Sequence, residues 1–390
     1  MLEKVKSIVF HLSLVILGLL FSCIVLELLL ALLSSRSNTI KLYATNPYRQ
    51  KYLADATNWR DLLDISCCSL EPGSLLNGFV LNSHGFETPD VSYSKPKEIQ
   101  RLVLIGDSQA VGYVPYMDNW PRLIERRIND ELHQTFQLIN LGVYGIGPAV
   151  EAKMLEVEGI KYEPDIVLVS FFVGNDYDDD AYYKQIHEQT RYQIPFWVYE
   201  SKLFSFVRNS LKFGIIRQFL SLEDREINKD FGIYDGHIDG QTRDTFTKDF
   251  YLNLESQRAE IFVQGSRVYD NLDLIKNSIL MMKAESEQIG AKFIVLIIPD
   301  EMQINPLLFS EIIQLNHWSS KDYDLQLPQK LLKEFFLDQN ISFIDPLENW
   351  LEDPYSSEYF LPNNSHLNVR GNQSIANIVT PILLDSLKIK

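Results

Sequence analysis

Four short stretches of the 390-residue chain carry side chains suited to nucleophilic attack on an acyl group. "GDSQ" (Gly106–Gln109) places Ser108 directly after an apolar run ending in glycine, where a nucleophile would project from a sheet edge. "NLGVYGIGP" (Asn140–Pro148) supplies glycines, whose bare backbone can approach a ligand and aim N–H groups at it. "VGNDY" (Val173–Tyr177) ends a further apolar run with Asn175, whose amide can donate to a developing oxyanion. His366, in "LPNNSHLNVRGN", titrates near neutrality and suits a general base. Singly, each is ordinary turn chemistry. Together they provide a nucleophile, two oxyanion donors and a base.

The elements that must position these groups are read from periodicity. Short apolar runs predict parallel strands at Arg101–Gly106, Phe136–Gly142, Asp165–Gly174, Lys292–Pro299 and Ile341–Pro346. Helical patterns alternate with them in Asp118–His133, with Pro121 near its start, and in Ala149–Gly159, Asp270–Ile289, Gln329–Asp338 and Gln373–Leu387. Pro381 is expected to bend the last of these, and His366 to open it. Such alternation implies a sheet covered on both faces, with its ligand at the carboxyl ends of the strands. All four stretches fall at those ends.

One gap is too long for a simple crossover. Residues from about 177 to 265 are rich in Tyr and Phe and read as an insertion, a lid or cap over the site. Within it Ser201–Leu220 is amphipathic and locally basic, which also fits a helix lying on a membrane surface. Ahead of the sheet, residues 35–98 read as a stalk and extension, and residues 99–390 as the main domain.

Residues 8–33 form an apolar run in which His11 and Glu27 are the ionisable residues, long enough to cross a bilayer. Lys4 and Lys6 precede it, favouring a cytoplasmic N-terminus and an external body, with residues 1–34 as an uncleaved anchor rather than a signal peptide. A net charge of −16 argues against nucleic acid as a partner. Of three cysteines, Cys23 lies in the anchor, and Cys67 and Cys68 are adjacent, so no disulfide framework is expected. His84, His187, His237 and His317 show no metal-ligand spacing, and there is no phosphate loop, so neither metal nor cofactor is expected.

"GDSQ", the glycine of "NLGVYG", "GND" and the histidine of "HLN", in that order, resemble the SGNH (GDSL-type) hydrolases, in their membrane-tethered bacterial form. "NSHGFE" (Asn82–Glu87) is similar to the lead-in of such members. The resemblance implies an α/β fold, a three-layer α/β/α sandwich with a flavodoxin-like parallel sheet of about five strands. It implies Ser108 as nucleophile and His366 as base, with an oxyanion hole from the N–H groups of Ser108 and Gly145 and the amide of Asn175. Gly145 is preferred to Gly142 because the family's glycine stands five residues after the asparagine of its block, here Asn140.

The chain departs from the family at the acid. Two and three residues before the histidine, where a carboxylate usually stands, are Asn364 and Asn363. An asparagine carbonyl would orient His366 without charge. Alternatively a backbone carbonyl, or a carboxylate such as Asp300 or Glu301, would serve; or the site is impaired. Asp107 is expected to shape the serine turn, and Asp176 to cap or begin the insertion. The expected function is ester hydrolysis through an acyl-serine, on a small acyl group such as acetyl on an envelope or extracellular glycan. O-acyl transfer to a polysaccharide, and a catalytically impaired carbohydrate-binding or assembly protein, are the alternatives.

Overall fold

The computed structural model describes residues 2–34, 72–132, 135–179, 201–203, 206–207 and 246–388. Cys67, Cys68, His187, His237 and most of Ser201–Leu220 lie outside the described residues. The chain divides into two compact units, one of residues 1–52 and 192–228, the other of residues 53–191 and 229–390.

In the first unit the apolar run forms helix α1 (Leu2–Ser34). Its segment Ser13–Leu33 has a mean hydropathy of 2.8, long and apolar enough to cross a membrane. Within that segment Glu27 accepts hydrogen bonds from the Ser201 hydroxyl (2.7 Å) and the backbone N–H groups of Lys202 (2.6 Å) and Leu203 (2.9 Å). A carboxylate within such a helix is expensive unless paired, and three donors of the insertion satisfy this one.

The second unit is built on five parallel strands: β1 (Gln100–Gly106), β2 (Phe136–Asn140), β3 (Ile166–Phe172), β4 (Lys292–Ile298) and β5 (Ser342–Ile344). Their order is β2-β1-β3-β4-β5, all neighbours parallel. This is the flavodoxin-like order, whose switch point between β1 and β3 opens a crevice at the strands' carboxyl ends.

The strands are apolar on both faces because each face meets helices. Val103, Ile105, Val167, Val169, Val295 and Ile297 pack in one buried cluster with α3 (Pro148–Val157), α5 (Leu272–Gln288) and α7 (Leu327–Asp338). The alternate residues Leu102, Leu104, Leu168, Ile294 and Leu296 pack on the other face with α2 (Trp120–Leu132) and α8 (Val369–Lys388). The period-2 alternation of strand side chains separates the two sets. The result is the three-layer sandwich.

Two further helices lie between β3 and β4 or follow β4. Helix α4 (Lys248–Arg258) falls within the span read as an insertion, yet Tyr251 and Leu252 join the buried cluster of the sheet. Its buried face also carries Glu255 and Ser256, which hides the apolar period that would reveal it in sequence. Helix α6 (Pro306–Leu315) follows β4. Helix α8 starts at Val369, three residues beyond His366, because Asn368 Oδ1 accepts the Gly371 N–H (3.1 Å) as an N-terminal cap. His366 therefore stands in the preceding loop. Pro381 lies inside α8, which continues to Lys388.

Candidate active site

The serine turn begins where β1 runs out. Asp107 Oδ1 accepts the Gln109 N–H (2.8 Å) and caps the short helix Ser108–Val111. Ser108 is its first residue, so its N–H meets no carbonyl of a preceding helical turn. The Gln109 side chain reaches the other way and donates to the Ser365 carbonyl (2.7 Å). That bond ties the serine turn to the loop that carries His366, 256 residues later. A hairpin at Leu75–Val80 braces the same turn: Asn77 donates to the carbonyls of Val111 (3.3 Å) and Gly112 (3.2 Å).

His366 Nε2 lies 2.8 Å from Ser108 Oγ, and Nδ1 lies 2.6 Å from Asn364 Oδ1. The protons follow from the partners. The His366 backbone N–H, which can only donate, also points at that Asn364 atom (3.0 Å), so the atom is the carbonyl oxygen. Nδ1 must then carry the ring proton, leaving the Nε2 lone pair to accept the Ser108 hydroxyl. The tautomer is the one a general base needs. Asn364 is fully buried and cannot turn away to water. Asn363 instead adopts the left-handed conformation (φ 48°) that makes the turn. Asp300 and Glu301 are committed elsewhere: Asp300 caps the helix Glu301–Ile304, and Glu301 accepts from the Tyr251 hydroxyl.

Two surroundings bear on the base. Tyr113 covers the imidazole, ring centroids 3.9 Å apart. Burial, and then the positive charge of Arg258, push the His366 pKa down to about 3. With a neutral amide behind it, nothing offsets those effects.

The two glycines of the second stretch do different things. The Gly142 N–H donates to Asn140 Oδ1 (2.9 Å), and a Cβ there would lie 2.7 Å from the Ala110 Cβ. Gly142 serves packing. Gly145 is exposed, takes φ 68°, and would have no heavy atom within 4 Å of a Cβ. Its conformation favours glycine even though space does not demand it.

Asn175 follows β3, and its amide nitrogen donates to Asp107 Oδ2 (3.1 Å) and Asp179 Oδ2 (2.7 Å). The adjacent Asp176 turns inward, accepting the Phe172 N–H (2.7 Å). Carboxylate oxygens of Asp107, Asp176 and Asp179 lie within 4.8 Å of one another. Burial above all, opposed by its hydrogen bonds, lifts Asp107 to about 6. Burial and then the charges of Glu151, Asp107 and Asp179 hold Asp176 well above the usual carboxylate range. Arg258, ion-paired with Glu255 (2.9 Å), is the cation whose charge reaches both Asp107 and His366.

Ser108, Asn175 and His366 thus gather at the carboxyl end of the sheet, with Asn364 behind the histidine. His84 lies away from this cluster, bonded to the Tyr162 hydroxyl (3.2 Å), and His317 stands exposed in a left-handed turn. Tyr113, Arg258 and Asp179 were not singled out from sequence. For Asp179 a signal existed, since a carboxylate four residues after an asparagine at a turn can fold back on it.

No family model matches the chain, and no curated protein matches its sequence. Among solved structures it is similar to a lipase/acylhydrolase from Enterococcus faecalis at 13% identity and TM-score 0.37, over 74% of this chain and 96% of that one. It is similar to the acetyl xylan esterase AlAXEase at 14% identity and TM-score 0.38, over 73% and 99%. A GDSL-like lipase from Bacteroides thetaiotaomicron matches at 11% and TM-score 0.37, over 76% and 93%. At such values the functional reading rests on the geometry of the site itself.

Proposed function

We propose that this chain is a serine ester hydrolase of the SGNH type, acting through an acyl-Ser108 intermediate. The observation that carries the reading is the relay Ser108 Oγ–His366 Nε2 (2.8 Å) and His366 Nδ1–Asn364 Oδ1 (2.6 Å). A serine hydroxyl at its ordinary pKa is a poor nucleophile, and a base within hydrogen-bond reach activates it.

As Ser108 Oγ attacks the ester carbonyl carbon, its proton passes to His366 Nε2. The negative charge that develops on the carbonyl oxygen is met by the N–H groups of Ser108 and Gly145 and by the Asn175 amide. Collapse breaks the bond to the alcohol oxygen, which takes the proton from Nε2 and leaves acyl-Ser108. Water repeats the sequence in the second half. A sugar hydroxyl in the place of water gives O-acyl transfer with the same residues. Acetyl on an envelope or extracellular glycan is the substrate class we favour, with helix α1 as a membrane anchor and the second unit outside the cytoplasm.

Labelling with a fluorophosphonate probe tests the reading, because that probe phosphonylates an activated serine. Wild type is expected to label and to hydrolyse p-nitrophenyl acetate, and folded Ser108→Ala to do neither. Asn175→Ala is expected to lose about 10²–10³ in turnover, the usual cost of one oxyanion donor. Equal activity in the Ser108→Ala protein would overturn the assignment.

A further inference from the structure

The helix Ser108–Val111 is a single turn, so whatever holds its exit fixes where Ser108 stands. The carbonyls at that exit meet side-chain donors. The Gln109 carbonyl accepts the Trp120 indole N–H (3.0 Å), and the Ala110 carbonyl accepts the Asn140 amide (2.9 Å). Asn119 donates to the carbonyls of Ala110 (3.2 Å) and Val111 (2.7 Å), and Asn77 to those of Val111 and Gly112. Asn119 is buried in the middle of this grip, and its amide nitrogen also faces Glu87 Oε2 (3.4 Å). Two amide hydrogens there serve three acceptors.

Glu87 closes the stretch Asn82–Glu87, which takes no part in the acyl transfer itself. A turn presents it: the Asn82 N–H meets the Phe86 carbonyl (3.0 Å), and the Phe86 N–H returns to Asn82 Oδ1 (3.0 Å). Phe86 is buried, and Glu87 beside it is only 5% exposed. There Glu87 Oε1 has no hydrogen-bond partner among the described residues, while Oε2 has the long contact with Asn119. A carboxylate so placed is poorly solvated, whereas a neutral acid is tolerated. Burial accordingly lifts Glu87 to about 8, against the pull of the Asn77 and Asn119 amides. The charged and titratable groups lining the same small cavity are Arg122 and Glu125 of α2, ion-paired with each other, and Tyr116, which burial pushes up to about 12. The hairpin and β2 offer Asn77, Leu138 and Asn140, none of them charged.

We propose that Glu87 is a positioning residue for the nucleophile: neutral, it leaves the Asn119 amide on the carbonyls of the serine helix, and ionised, it draws that amide off them. A hydrogen bond to a charged oxygen is roughly twice as strong as one to a neutral carbonyl, so the ionised acid wins the shared amide. That loosens the exit of the helix whose first residue is Ser108, and with it the 2.8 Å contact to His366 Nε2. The disturbance is at the nucleophile, so its cost falls on kcat rather than KM. The inference rests on the serine hydrolase reading and adds an alkaline limit to it.

The test uses the full chain in detergent, as wild type, Glu87→Gln and Asn119→Ala. The readouts are the rate of fluorophosphonate labelling and p-nitrophenyl acetate hydrolysis from about pH 6 to 9, with circular dichroism at each pH. Wild type is expected to label about 10-fold more slowly at pH 9 than at pH 7, as the neutral acid is lost above about 8. Glu87→Gln keeps the shape and an acceptor oxygen without the charge, so it should match wild type at pH 7 and lose the alkaline limb. Asn119→Ala removes the amide at every pH. It should lower kcat about 10-fold already at pH 7, with KM little changed and little further loss at pH 9, because a misplaced nucleophile is costly. Should that variant fail to fold, Glu87→Gln decides alone. An alkaline limb unchanged in Glu87→Gln overturns the positioning role and leaves the hydrolase reading standing. So does a limb that follows loss of the circular dichroism signal, which would be unfolding. Failure of wild type to label at any pH would overturn the two together.

Discussion

Replacing Asn364 by Asp restores the charge that the relay lacks, and the geometry sets what should follow. The acceptor oxygen lies 2.6 Å from His366 Nδ1, so a carboxylate there would sit about 4 Å from the centre of the imidazolium charge. At an effective dielectric of 20 that attraction is about 4 kcal/mol, or roughly 3 units of pKa. Half of this is forfeited, because position 364 is fully buried and burial lifts a carboxylate's own pKa, as it lifts Asp107 to about 6. His366 should therefore move from about 3 to between roughly 4 and 5. A stronger base with a stabilised imidazolium should raise kcat/KM at neutral pH by about 10- to 100-fold, within what general-base catalysis supplies. The assay is p-nitrophenyl acetate hydrolysis from pH 3 to 9, with labelling to count active sites. Two readings must move together: the plateau up, and the acid limb to higher pH. Asn363→Asp, on the left-handed turn residue, should leave the limb where it was. A folded Asn364→Asp protein with neither gain nor limb shift, or a larger gain from Asn363→Asp, would refute the reasoning.

The glycines give a paired expectation: Gly142→Ala, facing the Ala110 Cβ at 2.7 Å, should cost about 1–3 kcal/mol in denaturant unfolding. Gly145→Ala, at φ 68° in open space, should cost only about 1 kcal/mol yet lower kcat, because the strain falls on the proposed donor. The pH dependence of stability has a definite sign. Burial holds Glu87 at about 8, Glu301 at about 7 and Asp107 at about 6 in the folded chain, against roughly 4 unfolded, so these groups favour the fold fully below about pH 4 and lose that advantage as pH rises through 6 to 8. His366 works the other way, its contribution being lost as pH falls from about 6.5 towards 3. Above about pH 4 the three carboxyls outweigh the one histidine, so melting temperature should fall from pH 5 towards pH 8, and a rise over that interval in calorimetry would contradict it.

How much of this was legible in sequence depends on the range of the signal. The five strands were read to within a residue or two, because burial makes the central strands near-continuous apolar runs. Helix α4 escaped, since its buried face carries Glu255 and Ser256 and its sequence therefore lacks an apolar stripe. Ser108 was singled out by its place after a strand and His366 by its place before the last helix, yet spacing could not choose between Asn363 and Asn364. The structure puts Asn364 Oδ1 against the ring at 2.6 Å, while Asn363 takes the left-handed φ of the turn. Arg258 and Tyr113 reach His366 through tertiary packing alone, as do the combined fields that shift the buried carboxyls.

Glu27 bears on how the protein can be studied at all. Shortening the chain to a soluble form by cutting away α1 is the ordinary preparative shortcut. Here it would strip Ser201, Lys202 and Leu203 of the acceptor they share, at distances of 2.6–2.9 Å. Those residues belong to the same stretch of chain that follows the Asn175–Asp179 turn. Helix α1 is thus bonded to Ser201–Leu203 within the first unit, and a shortened protein would lack those bonds.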